Sequence, residues 1–330
     1  MAMINFCQFG AGRIGSIHAA NIARHPEARL LAIVDVDRDA AQRLADRHGV
    51  IVAAREAVLA DPAIDAVVIA SSTDTHAELV EAAARAGKAI FCEKPLDLEQ
   101  ARAAACVAVA ERCGVPLMVG FNRRFDPNFA RLADQLRAGR IGRLELLSIT
   151  SRDPEPPPLG YVRLSGGLFR DMMIHDFDMA RWLMGEEPVE LFAAASVLVD
   201  PAIGEAGDVD TAVVTLRASS GALCQISNSR RAAYGYDQRI EAFGSLGALF
   251  AENVVESTVA FAGADGIVTD KPLYFFLERY AEAYRRELDH FIAALGDNSA
   301  PLIGGADGVK ALALADAALQ SARSGRAVAV

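Results

Sequence analysis

Ile4-Asn5-Phe6-Cys7-Gln8-Phe9-Gly10-Ala11-Gly12-Arg13-Ile14-Gly15 is a short apolar run that ends in a G-x-G-x-x-G motif. A glycine pattern between a strand and a helix has a physical purpose at each position. The first glycine permits the tight turn, the second lets a pyrophosphate approach the backbone, and the third allows close packing of helix on strand. The phosphates then sit on a helix N-terminus, where free N–H groups and the dipole favour anions. Asp35 follows Gly15 by 20 residues, at the end of the second apolar run, as a dinucleotide site requires. Its carboxylate accepts from a ribose 2'-hydroxyl and repels a 2'-phosphate, which favours NAD over NADP. Asp37 adds to that bias, while the nearby Arg38 leaves dual use open. Capping of the helix that starts near Arg38 is a compatible second duty for Asp35.

Outward from this motif, strands are expected at Ile4 to Phe9, Leu30 to Val36, Ile51 to Ala53, Ala66 to Ala70, Ala89 to Cys92 and Leu117 to Val119. Amphipathic stretches at about Arg13 to Arg24, Arg38 to Arg47, Arg55 to Leu59, Thr75 to Arg85 and Leu98 to Cys113 separate them. That alternation predicts a doubly wound parallel sheet with crossover helices. Ser71, Ser72, Thr73 and His76 follow the fourth strand, and Glu93 and Lys94 the fifth. Both groups lie at the carboxyl edge, where such folds hold ligands. The expected cofactor contacts are therefore Gly10, Ala11, Gly12, Arg13, Ile14, Asp35, Ser71, Ser72, Thr73, His76, Glu93 and Lys94.

After Gly120 the rhythm changes. A helix near Asn128 to Arg137, a strand near Leu144 to Ser151, and a loop with Pro154, Pro156, Pro157 and Pro158 lead to a helix from about Gly167 to Met184. The loop reads as a rigid surface excursion, with a lid as the alternative. Extended segments follow at Val189 to Val199, Thr211 to Ala218, Leu223 to Arg230, Arg239 to Phe243, Leu249 to Ala251 and Ser257 to Phe261. Strands without intervening helices predict a second domain, α+β, built on a large open and mainly antiparallel sheet. The expected division is 1–121 and 122–330, with helices near Leu277 to Leu295 and Gly305 to Arg323 closing the second part.

Length and charge agree with two soluble domains. The 330 residues carry 33 Lys plus Arg against 43 Asp plus Glu, a formal charge of -10 that disfavours nucleic acid. No stretch without Asp, Glu, Lys or Arg exceeds 12 residues, too short to span a bilayer. The start lacks the basic segment and cleavage site of a signal peptide, so a cytoplasmic protein is expected. Cys7, Cys92, Cys106, Cys113 and Cys224 are odd in number and far apart, which reads as free thiols rather than a metal or redox centre.

Two places carry chemistry. Lys94, after the apolar run Ala89 to Cys92, can hold a substrate oxygen and stabilise the alkoxide that develops as hydride leaves; a solvated lysine at a strand end is the alternative. Asp171 and His175 are four apart, so on a helix they share a face. A carboxylate orienting an imidazole suits proton removal from an alcohol. A buried, satisfied pair fits the same spacing, and metal ligation lacks the Cys or His that would complete a set. Arg230-Arg231 reads as a solvated strand end, with contact to an acidic substrate as the alternative.

The G-x-G-x-x-G start, Glu93-Lys94-Pro95, Gly120-Phe121-Asn122-Arg123-Arg124-Phe125-Asp126 and Asp171-x3-His175 resemble the Gfo/Idh/MocA family of oxidoreductases over the whole chain. The resemblance implies an N-terminal Rossmann domain, a C-terminal domain with an open sheet, and a homotetramer packed through those sheets. It implies Lys94 as substrate-binding catalytic lysine, His175 as general base and Asp171 as its partner. A cis peptide before Pro95 and a polyol pocket lined by Arg124, Met172, Asp178 and Tyr234 are also implied, with Tyr234 ahead of Tyr236. The implied reaction is NAD-dependent oxidation of a cyclic polyol, with myo-inositol at C2 the expected substrate and no metal. Ser151-Arg152-Asp153 departs from the polar set common among inositol-oxidising members. Another sugar (scyllo-inositol, glucose or galactose) and a cofactor-dependent sugar sensor stay open as alternatives.

Overall fold

In the computed structural model, which describes residues 3–330, the first six apolar runs form one all-parallel sheet. Met1 and Ala2, from which the chain was expected to run straight into a strand, lie outside the described residues. The strands are β1 (Ile4–Phe9), β2 (Ala28–Val34), β3 (Ile51–Val52), β4 (Ala66–Ile69), β5 (Ala89–Glu93) and β6 (Leu117–Gly120), in the order β3-β2-β1-β4-β5-β6. Helices α1 (Arg13–Arg24), α2 (Arg38–His48), α3 (Arg55–Ala60), α4 (Thr73–Arg85) and α5 (Gln100–Cys113) alternate with them. Every residue of β4 and β5 is buried, as helices on both faces of a parallel sheet require. The strand order reverses between β1 and β4, and ligands of open α/β sheets bind at such a point.

The second half begins with α6 (Pro127–Arg137), capped by Asp126, whose carboxylate accepts from Asn128 and Phe129 N–H at 3.1 Å each. β7 (Leu144–Arg152), the proline loop and the short α7 (Leu159–Val162) follow. The helix expected from Gly167 to Met184 is broken in two. Leu168–Met172 is a π turn closed by Met173 N–H on the Leu168 carbonyl at 2.9 Å, and α8 proper is Ile174–Met184. Gly167 sets that entry: its φ is +81°, and a Cβ there would lie 2.5 Å from the Asp208 carboxylate, which accepts from Leu168 N–H. π turns of this kind recur at functional sites.

The remaining elements are β8 (Pro188–Ser196), α9 (Pro201–Glu205), β9 (Thr211–Ala218), β10 (Leu223–Ser229), β11 (Asp237–Gly244), β12 (Gly247–Ala251), a separate hairpin of β13 (Ala260–Gly263) and β14 (Gly266–Thr269), α10 (Phe276–Arg279), α11 (Ala281–Asp297), α12 (Gly305–Ser324) and β15 (Val328–Ala329). The large sheet runs β12-β11-β7-β10-β9-β8-β15 and is antiparallel except for β7 beside β10. β8 stops three residues short of expectation because Leu198, Val199 and Asp200 turn their N–H groups onto the Asp210 carboxylate, at 2.8–3.0 Å. Along β9 buried and exposed residues alternate, which marks a sheet with one covered and one open face.

Residues up to Asn122 and Ala283–Leu312 form one compact unit, and Arg123–Glu282 with Ala313–Val330 form the other. The linear expectation gave everything after residue 121 to the second domain. α11 belongs mostly to the first because its apolar face matches that core: Phe291 lies 6.3 Å from Phe6 and 5.8 Å from Phe91 between ring centroids. Cys7, Cys92, Cys106 and Cys224 are buried free thiols and Cys113 is an exposed one. Burial pushes the Cys7 and Cys106 thiols up to about 12, so neither is a reactive thiolate near neutral pH.

Candidate active site

The glycine turn is built by the chain itself. Gly10 has φ +101°, and a Cβ on it would lie 2.3 Å from the Ala70 carbonyl, so β1 and β4 meet there at backbone contact. The buried Gln8 amide donates to the Gly10 and Gly15 carbonyls at 2.8 and 2.6 Å and fixes the turn from beneath. Asp35 accepts from Ala11 N–H at 2.6 Å and Asp37 N–H at 2.8 Å. The α2 cap considered for Asp35 belongs instead to Asp37, which accepts from Asp39 and Ala40 N–H.

Gly12 supplies the test of fit for a dinucleotide. Its φ of −73° suits any residue, and a Cβ on it would meet nothing within 4 Å. Neither conformation nor packing demands glycine there, and close approach of a phosphate to the α1 N-terminus does. Gly12→Ala is therefore expected to raise the Kd for NAD about tenfold or more while stability changes by no more than about 1 kcal/mol. Gly15→Ala, whose Cβ would lie 2.2 Å from the Gly10 carbonyl oxygen, is expected to lower the melting temperature clearly. Calorimetry on both variants checks the contrast, and equal destabilisation would remove the phosphate role from Gly12.

Further along the carboxyl edge, Ser71 Oγ and Thr75 Oγ1 are 2.7 Å apart, and Ser72 and Thr73 sit at the start of α4. His76 is 2% exposed, with Nδ1 2.8 Å from the Pro95 carbonyl and Nε2 3.1 Å from the Ser71 carbonyl. Burial lowers its pKa against the pull of those two carbonyls. It ties the Ser71 turn to the turn after β5, so any effect on a cofactor passes through those backbones. In that second turn the Lys94-Pro95 bond is cis and Lys94 is half-buried. The Glu93 carboxylate turns inward to His18 Nε2 at 2.7 Å.

In the second unit, the Arg123-to-Asp126 segment holds the start of α8 at two acids just after His175. Arg123 donates to Asp176 at 2.5 Å and Ser151 at 2.9 Å. Asn228 holds the other Asp176 oxygen at 2.9 Å. Arg124 closes a two-point fork on Asp178 at 2.8 and 2.5 Å, and Arg279 pairs with Asp126. All six charged groups are 8% exposed or less. Breaking one such buried pair costs about 3–5 kcal/mol, so the backbone carrying His175 is rigidly framed. Arg124 and Asp178, expected against a polyol, are thus first a pair with each other.

Asp171 lies in the π turn and His175 in the first turn of α8, both half-buried. Asp171 accepts from the Tyr161 hydroxyl at 2.9 Å and from Arg230 at 3.4 Å. Arg230, read as a solvated strand end, is 2% exposed; its other arm faces Asp153 at 3.7 Å. β10 ends just before it, and its N–H donates to the Asp210 carbonyl at 2.9 Å, which draws the side chain inward. Only Arg231 is exposed. The proline loop delivers Tyr161, a link that residue types alone did not reveal. Met172 is 6% exposed. Of Tyr234 and Tyr236, Tyr234 is the accessible one at 41%, bonded to Asp237 at 2.5 Å and Arg152 at 2.9 Å, while Tyr236 is buried against Tyr280.

Burial, and secondarily Asp171, push Asp153 up from 3.8 to about 6 against the pull of Arg230. The folded state thus holds this proton more tightly than the unfolded chain, and stability falls as pH rises from about 4 to about 6. Asp153→Asn is expected to gain on the parent protein across that interval by about 1–3 kcal/mol and to keep the gain above it. Denaturant midpoints measured from about pH 4 to pH 8 check this; a difference independent of pH would contradict it.

Residues 4–121 match the oxidoreductase family with NAD-binding Rossmann fold, and 129–250 match the GFO/IDH/MocA C-terminal domain. The chain is 51% identical over 328 residues to the inositol 2-dehydrogenase of Rhizobium meliloti, covering 99% of each. It is 52% identical over 321 residues to the myo-inositol 2-dehydrogenase of Thermotoga maritima, covering 97% of this chain and 96% of that protein. It also matches the structure of scyllo-inositol dehydrogenase from Lactobacillus casei with bound NAD(H) and scyllo-inositol, with TM-score 0.92 at 28% identity over 99% of both chains. With both halves matched in order and the glycine turn shaped for a dinucleotide, the chain belongs to the Gfo/Idh/MocA family of NAD-binding oxidoreductases.

Proposed function

We propose that the chain oxidises myo-inositol at its C2 hydroxyl, yielding the 2-keto cyclitol and NADH. About half of all positions are shared with two full-length relatives named for that activity, and the same chain holds Lys94, Asp171 and His175. Gly10 to Ile14 hold the pyrophosphate and Asp35 the ribose; NAD, when bound, supplies the hydride acceptor. His175 takes the hydroxyl proton, Asp171 steadies the resulting imidazolium, and Lys94 hydrogen-bonds the oxygen as charge develops on it. Met172, Tyr234 and Arg124, the last oriented by Asp178, line the polyol. A neutral substrate gains nothing from the protein's net charge. Selectivity rests on hydrogen bonds, because an isomer that leaves buried polar groups unmatched is strongly rejected.

NADH formation with myo-inositol, scyllo-inositol, glucose and galactose tests the proposal. Preferential turnover of myo-inositol is the expected result, and preference for another sugar, or NAD binding without turnover of any, overturns it. Asp35→Ala is expected to narrow the ratio of kcat/KM for NAD over NADP by about tenfold or more; an unchanged ratio would take Asp35 out of cofactor selection.

A homotetramer packed through the open sheet faces is part of the same proposal. Phe192, Val213, Leu223, Phe243 and Phe250 are 40–61% exposed on the large sheet and its edge, an apolar surface of the kind that marks an interface. Among the described residues no helix is long and apolar enough to cross a membrane. The free thiols suit a reducing cytoplasm.

A further inference from the structure

Within the first unit, His18 of α1, Glu93 at the end of β5 and Glu287 of α11 converge just inside Lys94, the next residue in the chain after Glu93. His18 and Glu287 are 0% exposed and Glu93 8%. One donor or acceptor atom from each lies within 4.8 Å of the other two. His18 Nε2 and Glu93 Oε1 are hydrogen-bonded at 2.7 Å. Both Glu287 carboxyl oxygens are buried, and neither accepts a hydrogen bond from any described residue. The surroundings are apolar: the His18 ring packs edge-on to Phe91 at 5.0 Å and to Tyr284 at 5.9 Å. A Cβ on Gly120 would sit 3.1 Å from the Glu93 carboxylate, so the backbone of β6 confines it closely.

Two carboxylates this close in an apolar interior do not both ionise. Glu93 has the imidazole as its hydrogen-bond partner, which leaves Glu287 as the carboxyl with no donor of its own. A divalent metal on the same three residues suits the geometry less well. Tetrahedral ligands about 2.0–2.2 Å from zinc lie more than about 3 Å apart, and the His18 to Glu93 distance is a hydrogen bond instead. Burial, with Glu93 adding to it, holds the Glu287 carboxyl well above the usual carboxylate range.

We propose that Glu287 is carried as a neutral carboxylic acid that donates to Glu93 and, together with His18, fixes the turn that presents Lys94 to the reacting hydroxyl. Glu287 is a positioning residue in this scheme, which rests on the role of Lys94 given above. α11 thereby contributes to catalysis from a position far along the chain.

Infrared difference spectra of the whole protein against Glu287→Gln test the protonation without any need for turnover. A carboxylic-acid carbonyl band at neutral pH, lost in the variant, is expected; its absence, or one equivalent of bound metal by elemental analysis, overturns the proposal. Kinetics test the positioning. Glu287→Gln keeps a neutral N–H donor and is expected to hold kcat within about threefold, whereas Glu287→Ala loses about tenfold in kcat with the Kd for NAD unchanged. Equal loss in both variants, or none in the alanine variant, overturns it. If the alanine variant fails to fold, the glutamine kinetics and the infrared band still decide. Failure of the Lys94 role would appear separately, as normal kcat in Lys94→Met with the infrared band still present.

Discussion

Replacing His175 with alanine is expected to lower kcat by about 10²-fold or more while the Kd for NAD stays within about twofold. The proton on the C2 hydroxyl must leave as the hydride does, and His175 is the imidazole beside the π turn that carries Asp171. The helix that carries it is tied down just beyond it by the buried pairs Arg123–Asp176 and Arg124–Asp178. The histidine side chain itself takes no part in those pairs, so its removal leaves the frame standing. Steady-state rates and cofactor titration on the folded variant check the split. A near-normal kcat would assign proton removal elsewhere, and a parallel collapse of NAD binding would mean structural damage.

Lys94→Met is expected to lower kcat by about 10²–10³-fold, the usual cost of losing one preorganised donor at a developing oxyanion. Methionine keeps the apolar stem, so packing after β5 changes little. Lys94→Arg is not expected to restore the rate, because a planar fork cannot stand in for a compact ammonium at one oxygen. Measuring kcat and KM for the polyol separates the roles. A rise in KM with kcat unchanged would make Lys94 a simple binding group.

The first sheet was legible because its signals are local: strand, glycine turn, helix and acid follow one another within 35 residues, and the structure keeps them in that order. The open antiparallel sheet was legible for the same reason, through runs of alternating residues without helices between them. What sequence spacing did not show depends on distant contacts. The four-residue interval from Asp171 to His175 looked like one helical face, yet Gly167 and Asp208 impose a π turn on it. Arg230 looked like a solvated strand end; its burial against Asp153 and Asp171 follows from where β10 ends. Tyr161, Asn228 and Glu287 carried no motif at all, and only folding brings them to the residues they serve.

The most direct measurement uses myo-inositol deuterated at C2, purified protein and NAD, with the isotope content of the NADH read by mass spectrometry. Transfer of the label into NADH is the expected result. Unlabelled NADH, or none while NAD still binds, would contradict oxidation at C2 by this chain.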